Sequence, residues 1–249
     1  PGFLCEIHTV KSEQVNVIAS DSTWKSCELT RWDRNSPKYS YQRGWVEDID
    51  GRKDAELDWK PAVVLGEVGM KPWSVVEIRD VPLPSTLKDV RPIEAVSVVR
   101  GAEYKPEQPE STAGYAQGSS ILPASHWAVR LDREAVGTDE SAASNLKGIT
   151  KSGRGDVVLH GGNSQVVYDF GANFVGFVGF EVSGKAGQVL ELCWNERLSG
   201  YGNVPRPGDC DSSIMAMRYV LRDGKQTYMT FEPTVARFIR VINRSGEDI

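Results

Sequence analysis

Apolar and β-branched residues in this chain recur at short intervals rather than with helical spacing. Runs at 3–10 and 15–19 read as a pair of strands joined by the polar Lys11-Ser12-Glu13-Gln14. Further strand-like runs follow at 73–78, 93–99, 157–160, 165–170, 174–182, 189–194, 217–221, 226–231 and 238–243. Short strands separated by Gly-, Pro- and Asp-containing turns predict an all-β chain of sandwich type. Lys185-Ala186-Gly187 and Arg222-Asp223-Gly224-Lys225 are expected to be hairpin turns, because glycine accepts the positive φ such turns require. Helical periodicity is confined to two short candidates, 58–62 with Asp58 as cap and 139–146. Trp24 and Phe177 are expected in the core.

A proline-rich stretch from Val81-Pro82-Leu83-Pro84 to Arg91-Pro92 reads as an extended connector, since proline cannot donate to a ladder. It divides the chain into residues 1–88 and a larger part, 89–249. The stretches 104–118 and 135–156 read as long loops, and no internal repeat is visible.

At 249 residues the chain is long enough to bury a substantial core. Its 29 Lys+Arg against 34 Asp+Glu give a net charge of −5, which speaks against a nucleic-acid partner. No apolar run approaches the ~18 residues that span a bilayer, so no membrane partner is expected. Cys5, Cys27, Cys193 and Cys210 form no C-x-x-C pair, and His8, His126 and His160 are scattered. The sequon Asn243-Arg244-Ser245 leans towards a secreted, extracellular chain.

Nucleophile-elbow, zinc-protease and phosphate-loop motifs are lacking. Paired carboxylates remain as a route to glycoside cleavage or cation binding: Asp48/Asp50, Glu191/Glu196 and Asp209/Asp211. Acids beside turns are more often simply solvated, so spacing alone does not make this chain an enzyme. Tryptophan is more suggestive. Trp24, Trp32, Trp45, Trp59 and Trp73 fall in the first 73 residues, either packing a small core or offering an aromatic face to a sugar ring. Trp45, beside Glu47 and Asp50, is the one that leans towards binding. Asp50 and Arg52, two apart, would otherwise form a structural ion pair. Asp169 and Asn173, flanking Gly171-Ala172, are expected to set turn geometry through side-chain bonds to the backbone.

An ordered series of segments resembles the bacterial and fungal α-L-rhamnosidases. Asp21-Ser22-Thr23-Trp24-Lys25, Glu47-Asp48-Ile49-Asp50-Gly51-Arg52, Trp59-Lys60-Pro61-Ala62 and Arg79-Asp80-Val81-Pro82-Leu83 are similar to their N-terminal sandwich region. In the second of these, Ile49 stands where the family has an aromatic and Gly51 where it has alanine. The run from Tyr168 to Phe177, Val182-Ser183-Gly184-Lys185-Ala186-Gly187, Glu196-Arg197-Leu198, Tyr219-Val220-Leu221, Phe231-Glu232-Pro233 and Phe238-Ile239-Arg240-Val241 resemble their concanavalin-like domain. Residues 100–155 match nothing in that family.

The resemblance implies two β-sandwich (jelly-roll or concanavalin-like) parts, 1–88 and 89–249. The family's catalytic carboxylates lie on an (α/α)6 barrel that would follow residue 249, so no catalytic residue is assigned within this chain. It further implies that the N-terminal region binds L-rhamnose-containing glycan or a calcium ion, and that the second sandwich braces the barrel. Glu47, Asp50 and Arg52 are motif positions that join Trp45 as the expected carbohydrate site. Two other readings stay open: a free-standing lectin-like protein, and a scaffold that only holds a catalytic neighbour. The scaffold reading expects a large exposed apolar patch.

Overall fold

The computed structural model describes residues 3–12, 14–34, 36, 39, 44–55, 57–72, 77, 80–81, 88–100, 137–198 and 215–249. The expected strand at 73–78, the loop at 104–118, the Asp209/Asp211 pair, Cys210, His126 and Trp73 lie outside them. The described residues are strands, turns and one 3-10 turn, so the all-β expectation holds.

The chain falls into two compact units. One comprises 1–29 and 56–89, the other 30–55 and 90–249, so the chain passes between them three times. A division near residue 88 marks only the last of these passages.

In the first unit, β1 (Glu6–Lys11) and β2 (Gln14–Ala19) pair antiparallel, with Lys11 opposite Gln14. Both strands are exposed along their whole length. β3 (Lys25–Ser26) pairs with β5 (Lys60–Pro61). Residues 60–61 are thus extended, not helical as expected, and Pro61 sits at the end of its two-residue ladder, where its missing donor is tolerated. The Asp21 carboxylate accepts the Thr23 amide and hydroxyl at 2.8 and 2.6 Å, and Trp24 donates Nε1 to the Ala19 carbonyl at 2.9 Å. Trp24 is half-buried rather than a core residue, and lies 5.7 Å from the Phe3 ring.

The second unit holds β4 (Asp48–Asp50), β6 (Glu94–Val99), β7 (Ala143–Ser144), β8 (Val158–Leu159), β9 (Gln165–Gly176), β10 (Gly179–Gly184), β11 (Val189–Asn195), β12 (Ala216–Val220), β13 (Gly224–Met229) and β14 (Thr234–Asn243). Six form one sheet in the order β4-β12-β11-β14-β9-β6. All its pairings are antiparallel except β4 with β12, where Asp48, Ile49 and Asp50 run parallel to Arg218, Tyr219 and Val220.

Register sorts the side chains onto two faces, because successive residues of a strand point to opposite sides. Ile49, Tyr219, Leu190, Leu192, Trp194, Ile239, Val241, Tyr168 and Val166 share one face. The paired strands β10 and β13 supply the second layer over it. Phe180 meets Tyr219 edge-on at 5.5 Å, and Tyr228 lies 5.3 Å from Tyr219. This is the sandwich core. The opposite face carries Asp48, Arg218, Glu191, Cys193 and Arg240.

Four expectations are corrected in this unit. The expected strands 165–170 and 174–182 are divided differently: the chain runs on through residues 171–173 and breaks instead after Gly176, with β10 starting at Gly179. Residues 165–176 form one strand, β9, with Gly171 at φ 82° and a bulge in the facing β14 between Ala236 and Phe238. The glycine turns at 185–187 and 222–225 do have positive φ, at Gly187 (92°) and Gly224 (83°), yet neither closes a hairpin. Each carries the chain from one sheet to the other, and Ala186 donates its amide to the Asp223 carboxylate at 2.9 Å, tying the two corners together. Residues 139–146 are not helical. Asp139 caps a turn by accepting the Ser141 amide at 2.9 Å, and β7 follows. Phe177 is 41% exposed, outside the core.

Candidate functional site

Strand β4 and its flanks place the four expected binding residues. Trp45 is 57% exposed, whereas the next residues turn inwards. Glu47 is 1% exposed, and both its oxygens are engaged: Tyr228 donates its hydroxyl to Oε2 at 2.6 Å, and Phe231 its amide to Oε1 at 2.8 Å. Burial and the facing Glu47 carboxylate push the Tyr228 phenol well above its ordinary pKa.

Asp50 ends β4, and Arg52 lies in the 3-10 turn Gly51–Ala55 that follows. The turn folds Arg52 back, so that Nε and Nη2 donate to the two Asp50 oxygens at 2.8 Å each. The Arg52 bond and charge hold the Asp50 carboxyl below its usual range, against the opposing effect of partial burial. The expected ion pair is there, made by a turn rather than a strand face. Trp45 is therefore the one of the four that presents an exposed aromatic side chain.

The paired carboxylates separate in the same way. Asp48 bonds Arg218 through both oxygens. Glu191 accepts Nε of Arg244 at 2.6 Å in a nearly dry setting, while Glu196 accepts Asn173 Nδ2 at 3.0 Å. Asp169 does accept the Gly171 amide at 2.6 Å, as its expected turn role requires, and also binds Arg237 through both oxygens. Among the described residues no group of three or more His, Cys, Asp or Glu gathers where a metal ion could sit. The Glu47 and Asp50 oxygens are committed to protein donors, so they do not fit calcium as placed. Cys5, Cys27 and Cys193 are free thiols, and burial raises that of Cys193.

Near Trp45 the same unit exposes an apolar surface. Val175 and Val235 face each other across β9 and β14, and both are exposed. In the segments leading to and from the second layer Phe177, Met229 and Phe231 are exposed, while the intervening Val178 and Thr230 are buried. Val178 and Thr230 lock the two segments together through Thr230 N to Val178 O (2.9 Å) and Val178 N to Thr230 Oγ1 (3.0 Å). Gly44 approaches Glu232 so closely that a Cβ there would lie 2.7 Å from its carboxylate, which brings the Trp45 segment alongside that of Phe231.

Residues 160–248 match the bacterial alpha-L-rhamnosidase concanavalin-like domain. The match covers β9 to β14, the strands that build both layers of the sandwich. The rhamnosidase of family GH78 from Bacillus sp. GL1 has a similar structure, with a TM-score of 0.66 at 16% identity over 98% of this chain. The α-L-rhamnosidases of Dictyoglumus thermophilum and Aspergillus terreus align at TM-scores of 0.45 and 0.43, with 15% and 17% identity over 95% and 98% of this chain. This chain spans 43% of the Bacillus protein and 20% of each of the other two. No curated protein matches it. The larger sheet extends beyond the matched region, because β4 and β6 flank the matched strands in it.

Sequence reading missed one constellation. His160, singled out only as scattered, stands between Ser144 and Asp248, with Nε2 2.7 Å from the Ser144 hydroxyl and Nδ1 3.0 Å from the Asp248 carboxylate. The three come from sequence distances of 16 and 88 residues, so no local motif announces them.

Proposed function

We propose that this chain is a β-sandwich region of an α-L-rhamnosidase-like glycoside hydrolase that takes no part in glycoside cleavage, and that it supports the catalytic domain through the exposed apolar residues Val175, Phe177, Met229, Phe231 and Val235. The observation that carries this reading is that exposed apolar set, in a chain that spans 43% of a structurally similar rhamnosidase. Exposed apolar side chains of this kind favour burial against a partner. A stable contact would remove ~1,000 Å² or more from water.

The test is a binding titration against a separately produced bacterial α-L-rhamnosidase catalytic barrel, followed by sedimentation. Association that falls at least tenfold in Val175→Asp or Phe231→Ser, with the variants still folded, supports the reading. Variants that associate like the parent chain, or a parent chain that does not associate, overturn it.

A second reading is favoured by Trp45: recognition of an L-rhamnose-containing glycan on its exposed ring. Calorimetric titration with L-rhamnose, then with calcium and with chelator, addresses it. Heat that disappears in Trp45→Ala supports recognition. Silence up to millimolar sugar leaves support as the better account.

A further inference from the structure

We propose that Ser144, His160 and Asp248 form a nucleophile–base–carboxylate relay that accepts acyl groups from small esters, an activity independent of the support role.

The roles follow from donor chemistry. An ionised carboxylate only accepts, so His160 must donate Nδ1–H to Asp248 Oδ2 across 3.0 Å. In the neutral imidazole the remaining nitrogen, Nε2, then carries the lone pair. It faces the Ser144 hydroxyl at 2.7 Å, so Ser144 donates to it. A hydroxyl bonded to an imidazole that a carboxylate orients from behind is the arrangement that activates serine. The bond from His160 keeps the Asp248 carboxyl below its usual range, which holds it ionised as the orienting group.

The three residues are held from the backbone. Asp248 also accepts the Gly161 amide at 2.9 Å on Oδ1, which fixes both its oxygens. Gly161 is needed there, since a Cβ would lie 2.1 Å from the Gly246 carbonyl. Leu159 and Ile249 exchange two backbone bonds, of 2.8 and 2.9 Å, and Asn243 Nδ2 binds the carbonyls of Leu159 and Glu247, so the segment carrying Asp248 is clamped to β8. Ser144 ends β7, and Asn145 turns away at φ 53° with Nδ2 bonded to the carbonyls of Arg154 and Asp156. Ser144 is exposed, so a substrate can reach it. The surface setting suits a small acyl group rather than a long chain needing a tunnel.

In the reaction, Ser144 Oγ attacks the ester carbonyl carbon and gives its proton to His160 Nε2. The bond to the alcohol oxygen breaks, and the alcohol leaves with that proton. Water then attacks the acyl-serine, passing a proton to Nε2, and the carboxylic acid departs as that proton returns to Ser144.

The purified chain is treated with diisopropyl fluorophosphate, adducts are mapped by mass spectrometry, and hydrolysis of p-nitrophenyl acetate is followed in parallel. The expected result is an adduct on Ser144 ahead of the other serines, and hydrolysis abolished in Ser144→Ala. Both rates should fall by roughly 10²-fold or more in His160→Gln. Thermal unfolding confirms that each variant is folded, and Asp248→Asn replaces His160→Gln if that variant does not fold. Labelling of Ser144 at the rate of other surface serines, or undiminished in a folded His160 or Asp248 variant, overturns the proposal and leaves the relay as a tether for the segment that carries Asp248.

Discussion

Tyr228 donates its hydroxyl to the buried Glu47 carboxylate at 2.6 Å, joining residues 181 apart in sequence. The bond links the segment before the edge strand β4 to the outer layer of the sandwich. It makes Glu47 a structural group in this structure.

Hydrogen bonds to a charged partner are worth about 1.5–3 kcal/mol, and Tyr228→Phe should cost that much in urea unfolding. Glu47→Gln should be at least as harmful, because the Phe231 amide loses a charged acceptor too. Since both changes touch one bond, their effects should not add. A near-neutral Glu47→Gln would return this residue to the list of ligand-binding candidates.

The Glu191–Arg244 pair is almost fully withdrawn from water, with side chains 1% and 7% exposed. Breaking such a pair from one side leaves an uncompensated buried charge, at a cost of roughly 3–5 kcal/mol. Glu191→Gln should therefore lower the denaturation midpoint far more than Glu181→Gln, whose partner Lys225 is exposed. Equal effects would show that water reaches the pair.

Acid sensitivity should run through Asp169. The Arg237 bond, with help from the Gly171 amide, lowers its folded-state pKa below the usual carboxylate value. Its contribution is therefore full above the unfolded value near 4 and is lost as pH falls through the folded one. Thermal midpoints should drop between pH 5 and 3, by less in Arg237→Gln. An identical drop in both proteins would move the acid sensitivity elsewhere.

Core and surface can be told apart by one pair of truncations. Ile49 is fully buried on the apolar face, and Ile49→Ala should cost ~2–5 kcal/mol. Phe177→Ala should cost less than about 1 kcal/mol in chemical denaturation. Comparable losses would place Phe177 inside.

Most strands of the larger unit could be read directly from the chain, because β-branched and aromatic runs between glycine and proline mark them without reference to partners. What could not be read was which strands pair. Gly187 and Gly224 supply positive φ as their turns demand, but a turn's dihedrals do not say whether the next strand stays in the same sheet. Phe177 failed for a related reason. Its neighbours Val178 and Thr230 take the inward positions, and a one-residue shift of register reverses every face. The short β4 was missed because two aspartates bracket Ile49, and those acids are tolerated only because Arg218 and Arg52 meet them. The relay at His160 depends on a contact spanning 88 residues, which periodicity cannot reveal.

The parallel pairing of β4 with β12 also sets a timetable for biosynthesis. Asp48 leaves the ribosome 170 residues before its partner Arg218. At roughly 5–20 residues per second, β4 waits about 10–30 s for β12, with only its antiparallel bridge between Ile49 and Trp32 available meanwhile. Meanwhile Ile49 and its buried neighbours lack the larger sheet that covers them. A nascent chain paused short of β12 therefore displays a sticky early segment, and slow synthesis should send more of this protein to chaperones than its size alone would suggest.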